Sequence, residues 1–115
     1  MENPKFLKRR GAPAILLEIA DGDRQFSDLQ DPIAVSPNTL SKRLREGESE
    51  GLWEERLDKS GDGPSRRVYT ILPTGEKLAE IVRELEVMEL TEELREMEAE
   101  RERRLSEAQD RQLSV

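Results

Sequence analysis

The 115-residue chain has no cysteine and no histidine, and aromatic residues make up only 3% of it. Without cysteine there is no disulfide, no thiol sensor and no thiolate metal site. Without histidine the commonest metal ligand and general base are missing, and a catalytic site would have only carboxylates to work with. No carboxylate pair sits in a motif that sets it apart from an acidic surface, and no glycine loop is built to hold phosphate. The reading is therefore a non-enzyme with no metal and no cofactor. No apolar run is long enough to cross a bilayer and no signal-peptide pattern is present, which points to a soluble cytoplasmic protein with no membrane partner. A chain of this length builds one small domain with a modest core and one appended element. No separate effector domain fits, and no small-molecule effector is expected.

Charge, by contrast, is abundant: 39% of the residues are Asp, Glu, Lys or Arg, and the formal net charge is −7. Residues 1–75 carry 12 basic and 13 acidic side chains, whereas residues 76–115 carry 7 and 13, so the acidity is concentrated in the tail. Arginine outnumbers lysine 14 to 5. With histidine absent and acids plentiful, this composition resembles that of halophilic archaeal proteins. Concentrated salt screens the self-repulsion of such a surface. It also weakens any purely electrostatic association with a charged partner.

The most informative stretch is Ser36-Pro37-Asn38-Thr39-Leu40-Ser41-Lys42-Arg43-Leu44-Arg45. Ser36 can cap a helix, and Pro37 suits the first helical position because it has no N–H to leave unsatisfied. Leu40 and Leu44, four apart, fall on one side against a core. Asn38, Thr39, Lys42 and Arg43 fall elsewhere, and their amide, hydroxyl and cationic groups suit base edges and phosphates of double-stranded DNA. Arg45 sits on the flank, for a phosphate or a nearby glutamate, and Ser36 is credited only with a phosphate contact through the helix N-terminus. The helix is predicted to run to between Glu46 and Glu50. Gly47 weakens it by about 1 kcal/mol relative to alanine and is expected to end or bend it.

Around this stretch the pattern is regular. Lys5, Lys8, Arg9 and Arg10 make residues 1–10 a basic arm. Pro13 to Ala20 reads as a first helix closed by Asp21-Gly22, and Ser27 with Gln30 forms a capping box that opens a short second helix before Pro32. After Gly51, Leu52–Leu57 and Arg67–Leu72 read as two strands around the turn-rich loop Asp58–Arg66, a β-hairpin in whose core Trp53 and Tyr69 belong. From Thr74 the sequence is helical. Leu78, Ile81 or Val82, Leu85 and Met88 form one apolar stripe, expected to face the domain. Val87, Leu90, Leu94 and Met97, extended by Arg101 and Leu105, form a second that is expected to face a partner helix, with a break or change of partner near Leu90. Beyond Met97 the apolar positions run out, and the end is expected to fray.

Helix, helix, helix, strand, loop, strand, helix is the order of a winged helix-turn-helix domain, a mainly α fold with a β-hairpin wing (α+β), here followed by a long C-terminal helix. Short phrases of the sequence resemble HxlR-type regulators: Arg24-Gln25-Phe26-Ser27-Asp28-Leu29 their second helix, Ser36 to Leu44 their recognition helix, and Glu50-Gly51-Leu52 the lead-in to their hairpin. Tyr69-Thr70-Ile71-Leu72-Pro73-Thr74-Gly75 is similar to the exit from it, a phrase shared with MarR- and PadR-type regulators. The resemblance covers roughly residues 10–80 and implies a homodimeric, DNA-binding transcription regulator.

The expected organisation is a basic arm (1–10), a DNA-binding domain (11–75) and a helical dimerisation region (76–115). The DNA contacts are expected from Ser36, Asn38, Thr39, Lys42, Arg43 and Arg45, with Lys59, Arg66 and Arg67 on the wing, although Asp62 puts an acid at the wing tip. The dimer is assigned to Val87, Leu90, Leu94 and Met97, with half-sites about 10 bp apart or a multiple of that. The alternative is a winged-helix module that docks proteins through its acidic helix and binds no specific DNA.

Overall fold

Phe6 decides how the chain begins. In the computed structural model, which describes residues 4–113, the segment expected as a basic arm contains a helix, α1 (Pro4–Lys8). Phe6 is buried, its ring edge-on to Trp53 with centroids 5.7 Å apart. Met1–Asn3, the side chains of Pro4, Lys5 and Leu113, and Ser114–Val115 lie outside the described residues.

Helix α2 (Ala12–Ala20) supplies the centre of the core through Ala12, Ile15, Leu16 and Ile19. It starts from Gly11, whose φ of 82° is a left-handed conformation that costs glycine little, and a side chain there would press on Val35. Helix α3 (Phe26–Gln30) begins earlier than the Ser27 cap predicts, with Gln25 as its cap. The Gln25 N–H donates to the Asp28 carboxylate at 2.8 Å, a charge-assisted bond that the neutral Ser27 and Gln30 pair cannot match. Between these helices, Arg24 and Tyr69 exchange both backbone hydrogen bonds (3.2 and 2.7 Å), tying the loop to the hairpin.

Helix α4 (Pro37–Ser49) starts as the sequence predicts, with the Ser36 hydroxyl accepting the Thr39 N–H at 3.2 Å. It does not stop at Gly47. The Trp53 ring lies where a Gly47 side chain would be: a Cβ placed there would overlap ring atoms Cζ2, Cη2 and Cε2. The indole N–H donates to the Leu44 carbonyl at 3.0 Å, so Trp53 is fixed to α4 by a hydrogen bond as well as by packing. The helix closes at Gly51 (φ 76°), where Gly51 N–H bonds to Glu48 O and Leu52 N–H to Gly47 O, both at 3.0 Å.

Strands β1 (Trp53–Asp58) and β2 (Arg66–Ile71) pair antiparallel, from Trp53 opposite Ile71 to Asp58 opposite Arg66. Past Trp53 every residue of β1 is exposed, so the hairpin projects into solvent as a wing. Helix α5 (Pro73–Leu113) follows; near its start Gly75 approaches the Leu52 carbonyl so closely that a Cβ would overlap it. The chain divides into two units, Met1–Val82 and Arg83–Val115. The first ends within α5 because Ala79 and Val82 are buried in its core and Leu78 packs against that core. Of the stripe expected to face the domain, Ile81, Leu85 and Met88 are instead exposed. In the second unit α5 is unbroken at Leu90, and it remains helical to Leu113 where fraying was expected. Among the described residues the core holds no buried polar or charged side chain.

Candidate nucleic-acid interface

The side of α4 turned away from the core carries Asn38, Lys42, Arg45 and Ser49, each exposed. Their spacing of four, three and four aligns them in one stripe. Glu48, also exposed, is the acid on this side, and Ser41 is half-buried beside the stripe. Leu40, Leu44 and Gly47 hold the opposite side against the core. Ser36 is exposed and Thr39 half-buried, and their hydroxyls are engaged with each other: Ser36 Oγ donates to Thr39 Oγ1 at 3.0 Å while accepting the Thr39 N–H. Thr39 thus contributes to the cap and meets the start of the outer stripe only at its edge. Ser36 and Thr39, both expected at the DNA contact, share a shallow groove at the α3–α4 turn with Arg10 and Asp31, which were not assigned to it.

Arg43 departs from expectation. Its side chain is 13% exposed and is spent within the domain. Nε donates to the Arg10 carbonyl and Nη1 to Glu46 Oε1, each at 3.0 Å, while the other Glu46 oxygen pairs with Arg9. The reason is angular: Arg43 lies three residues after Leu40 and four before Gly47, on the margin of the inward side. That was hidden so long as Gly47 was read as a helix breaker.

On the wing, Lys59, Arg66 and Arg67 are exposed. Arg67 faces Glu55 across the strands at 3.6 Å, an exposed pair that salt screens readily. The register places Arg56, Asp58 and Arg66 on one face and Glu55, Leu57 and Arg67 on the other. Arg56, which the sequence reading did not name, thus joins Arg66 on one face of the hairpin. Asp58 accepts the Ser60 hydroxyl (2.6 Å) and the Ser60 N–H (3.0 Å), which hold its carboxyl below the usual range, with Arg66 and Arg56 adding to the effect. The Tyr69 phenol is pushed up, by burial first and then by Glu55 and Glu48, against Arg67 and Arg45. Charges from β1, β2 and the outer end of α4 thus meet around Tyr69.

Val87, Leu90, Leu94 and Met97 are each at least half exposed in the single chain, as is Leu105. Further along, Glu100 is drawn below its usual range by Arg103 and Arg104. Among the described residues, no group of three carboxylates is placed to hold a metal ion, and no helix is long and apolar enough to cross a membrane.

Comparison with known proteins agrees with this geometry. The HxlR-like helix-turn-helix family matches residues 7–99. Among solved structures, a protein of Enterococcus faecalis V583 named as a MarR-family transcriptional regulator superposes with a TM-score of 0.70 at 22% identity, over 80% of this chain and 83% of that one. The protein ytfH of Salmonella typhimurium, named as a transcriptional regulator, gives 0.65 at 29% identity over 85% and 86%. The reduced form of the regulator YodB from B. subtilis gives 0.61 at 23% over 76% and 90%. No curated protein matches the chain. With a family match over most of its length and a winged fold shared with regulators rather than enzymes, the chain belongs to the HxlR-like helix-turn-helix family of DNA-binding transcription regulators.

Proposed function

We propose that the protein is a homodimeric, sequence-specific regulator that lays α4 in a major groove of double-stranded DNA. The observation that carries this is the exposed stripe Asn38, Lys42 and Arg45 on a helix whose inner side is fixed by Leu40, Leu44 and Gly47. Asn38 is suited to a base edge, and Lys42 and Arg45 to guanine or phosphate. Arg10 and the start of α4 at Ser36 and Thr39 border the backbone, and Lys59, Arg56 and Arg66 reach toward the flanking phosphates. Arg67 is in part offset by Glu55, and Arg43 belongs to the support of α4.

The dimer forms through Val87, Leu90, Leu94 and Met97, because an isolated helix exposing such a stripe gains little from its own apolar surface. Two recognition helices related by a two-fold axis then read half-sites about 10 bp apart or a multiple of that. The acidic, arginine-rich composition supports a salt-rich cytoplasm like that of halophilic archaea, where base contacts outlast phosphate contacts. Some of the similar structures are named for redox states of YodB and HypR. Thiol oxidation cannot be the signal in a sequence with no cysteine.

A protein-docking module is the second reading, favoured by the net charge of −7 and by Glu48 on the outer side of α4. Selection and sequencing of DNA fragments bound by the purified protein in concentrated KCl separates the two, with a Lys42→Ala, Arg45→Ala double variant alongside. Enrichment of an inverted repeat that the double variant loses is the expected result. A folded dimer that enriches nothing would overturn the DNA reading in favour of docking.

A further inference from the structure

We infer that Glu46 is a positioning residue for DNA recognition, and that residues 6–10 are a working part of the reading head. The inference rests on the DNA reading proposed above. Glu46 stands on α4 with its side chain 19% exposed and uses both carboxylate oxygens: one holds Arg43 of the same helix at 3.0 Å, the other Arg9 from the turn after α1. Arg43 in turn donates to the Arg10 carbonyl at 3.0 Å, so two links join this turn to α4. A third runs through Phe6, which packs on Trp53, itself bonded to the Leu44 carbonyl.

These links sit beside the stripe that faces outward. Glu46 follows Arg45 directly and is one turn from Lys42, so a rotation of α4 about its axis moves the base-reading side chains and the Glu46 bridge together. Leu40 and Leu44 pack without directional bonds, and the indole bond to the Leu44 carbonyl holds α4 where Trp53 sits on Gly47. The Glu46 bridge adds a second directional hold, on the Arg43 margin of the helix. Bonds between ionised groups have narrow geometry, and these are partly withdrawn from water.

Binding of two duplexes tests this by fluorescence anisotropy: the most enriched fragment from the selection, and a scrambled duplex of equal length and composition. The measured quantity is the ratio of the two affinities. Glu46→Gln keeps the size of the side chain but gives up one charged bridge. A loss of folded protein lowers both affinities by the same factor, and the removal of one negative charge raises both alike. Neither changes the ratio, whereas a reoriented α4 lowers it.

The expected result is at least a fivefold fall for Glu46→Gln. Arg9→Gln, which breaks only the more exposed half of the bridge, should give a smaller fall in the same direction. Arg9→Gln also keeps the test valid should Glu46→Gln not fold. A ratio unchanged within twofold in the folded variants would overturn the proposal. A wild-type protein that binds both duplexes equally would overturn the DNA reading itself, and this inference with it.

Discussion

Replacing Gly47 with alanine sets two physical effects against each other. By helix propensity alone, alanine in the middle of α4 should stabilise the protein by about 1 kcal/mol. In the structure the added methyl falls inside the Trp53 ring, overlapping three of its atoms. Trp53 is 1% exposed, so the ring has no open space to move into. Overpacking of this kind costs about 1–3 kcal/mol. If the ring tilts to make room, it strains the indole bond to the Leu44 carbonyl, and leaving a buried N–H unsatisfied costs about 1–3 kcal/mol more. The edge contact with Phe6 is worth about 0.5–1.5 kcal/mol and is lost along with it. With losses of about 2.5–7.5 kcal/mol set against a propensity gain of about 1 kcal/mol, Gly47→Ala should destabilise by about 1.5–6.5 kcal/mol. At about 4–8 °C per kcal/mol for a domain of this size, the melting temperature should fall by at least about 6 °C. Circular dichroism melts at one fixed protein concentration measure it, since a dimer's stability depends on concentration. Trp53 is the sole tryptophan, so its emission reports directly on the displaced ring. Adding Trp53→Phe, with its smaller ring, should relieve part of the loss and yield a coupling energy between the two sites. A Gly47→Ala protein that melts at or above the wild-type temperature would refute the placement of Trp53 against α4.

Two other changes test separate parts of the molecule. Leu90→Glu with Leu94→Glu should convert the proposed dimer to a monomer by light scattering: each buried leucine is worth about 1.5–3 kcal/mol, and the two-fold axis doubles the loss, so dissociation should strengthen at least a thousandfold. An unaltered mass would remove α5 from the interface. At the wing, Ser60→Ala should raise the Asp58 carboxyl back toward its ordinary value, as followed by carboxyl carbon NMR. The folded value is depressed in the wild type, so the turn's contribution is present above the ordinary carboxylate pKa, near 4, and is lost as pH falls through the folded value. An Asp58 midpoint that does not move in Ser60→Ala would dismiss the serine as its cause.

Much of this fold is legible because its determinants are local. Ser36 and Pro37 start α4 through groups within three residues of each other, and Leu40 and Leu44 mark its inner side by spacing alone. The hairpin follows from two strand-like runs around a loop rich in Gly, Asp and Ser. The phrase ending in Gly75 gains a reason: only glycine admits the Leu52 carbonyl at that point. What could not be read depends on partners distant in sequence. Phe6 gives α1 its place by meeting Trp53, and Arg43 turns inward to a carbonyl 33 residues away.

Gly47 shows how such errors spread. Read as a helix breaker, it left the inner side of α4 defined by two leucines, and Arg43 then counted as outward. With Gly47 recognised as the seat of Trp53, the inner side gains a third member and Arg43 falls on its margin, where Glu46 and the Arg10 carbonyl await it. A count of cations along α4 therefore overstates its exposed basic side. Arg43 and Arg45 stand two apart on one helix, roughly 200° around its axis. The first is committed to holding the helix and the second is presented by it. The net charge of −7 bears on neither assignment, because what a duplex would meet is the outer stripe of α4, and that stripe is decided by angular position relative to Leu40, Leu44 and Gly47.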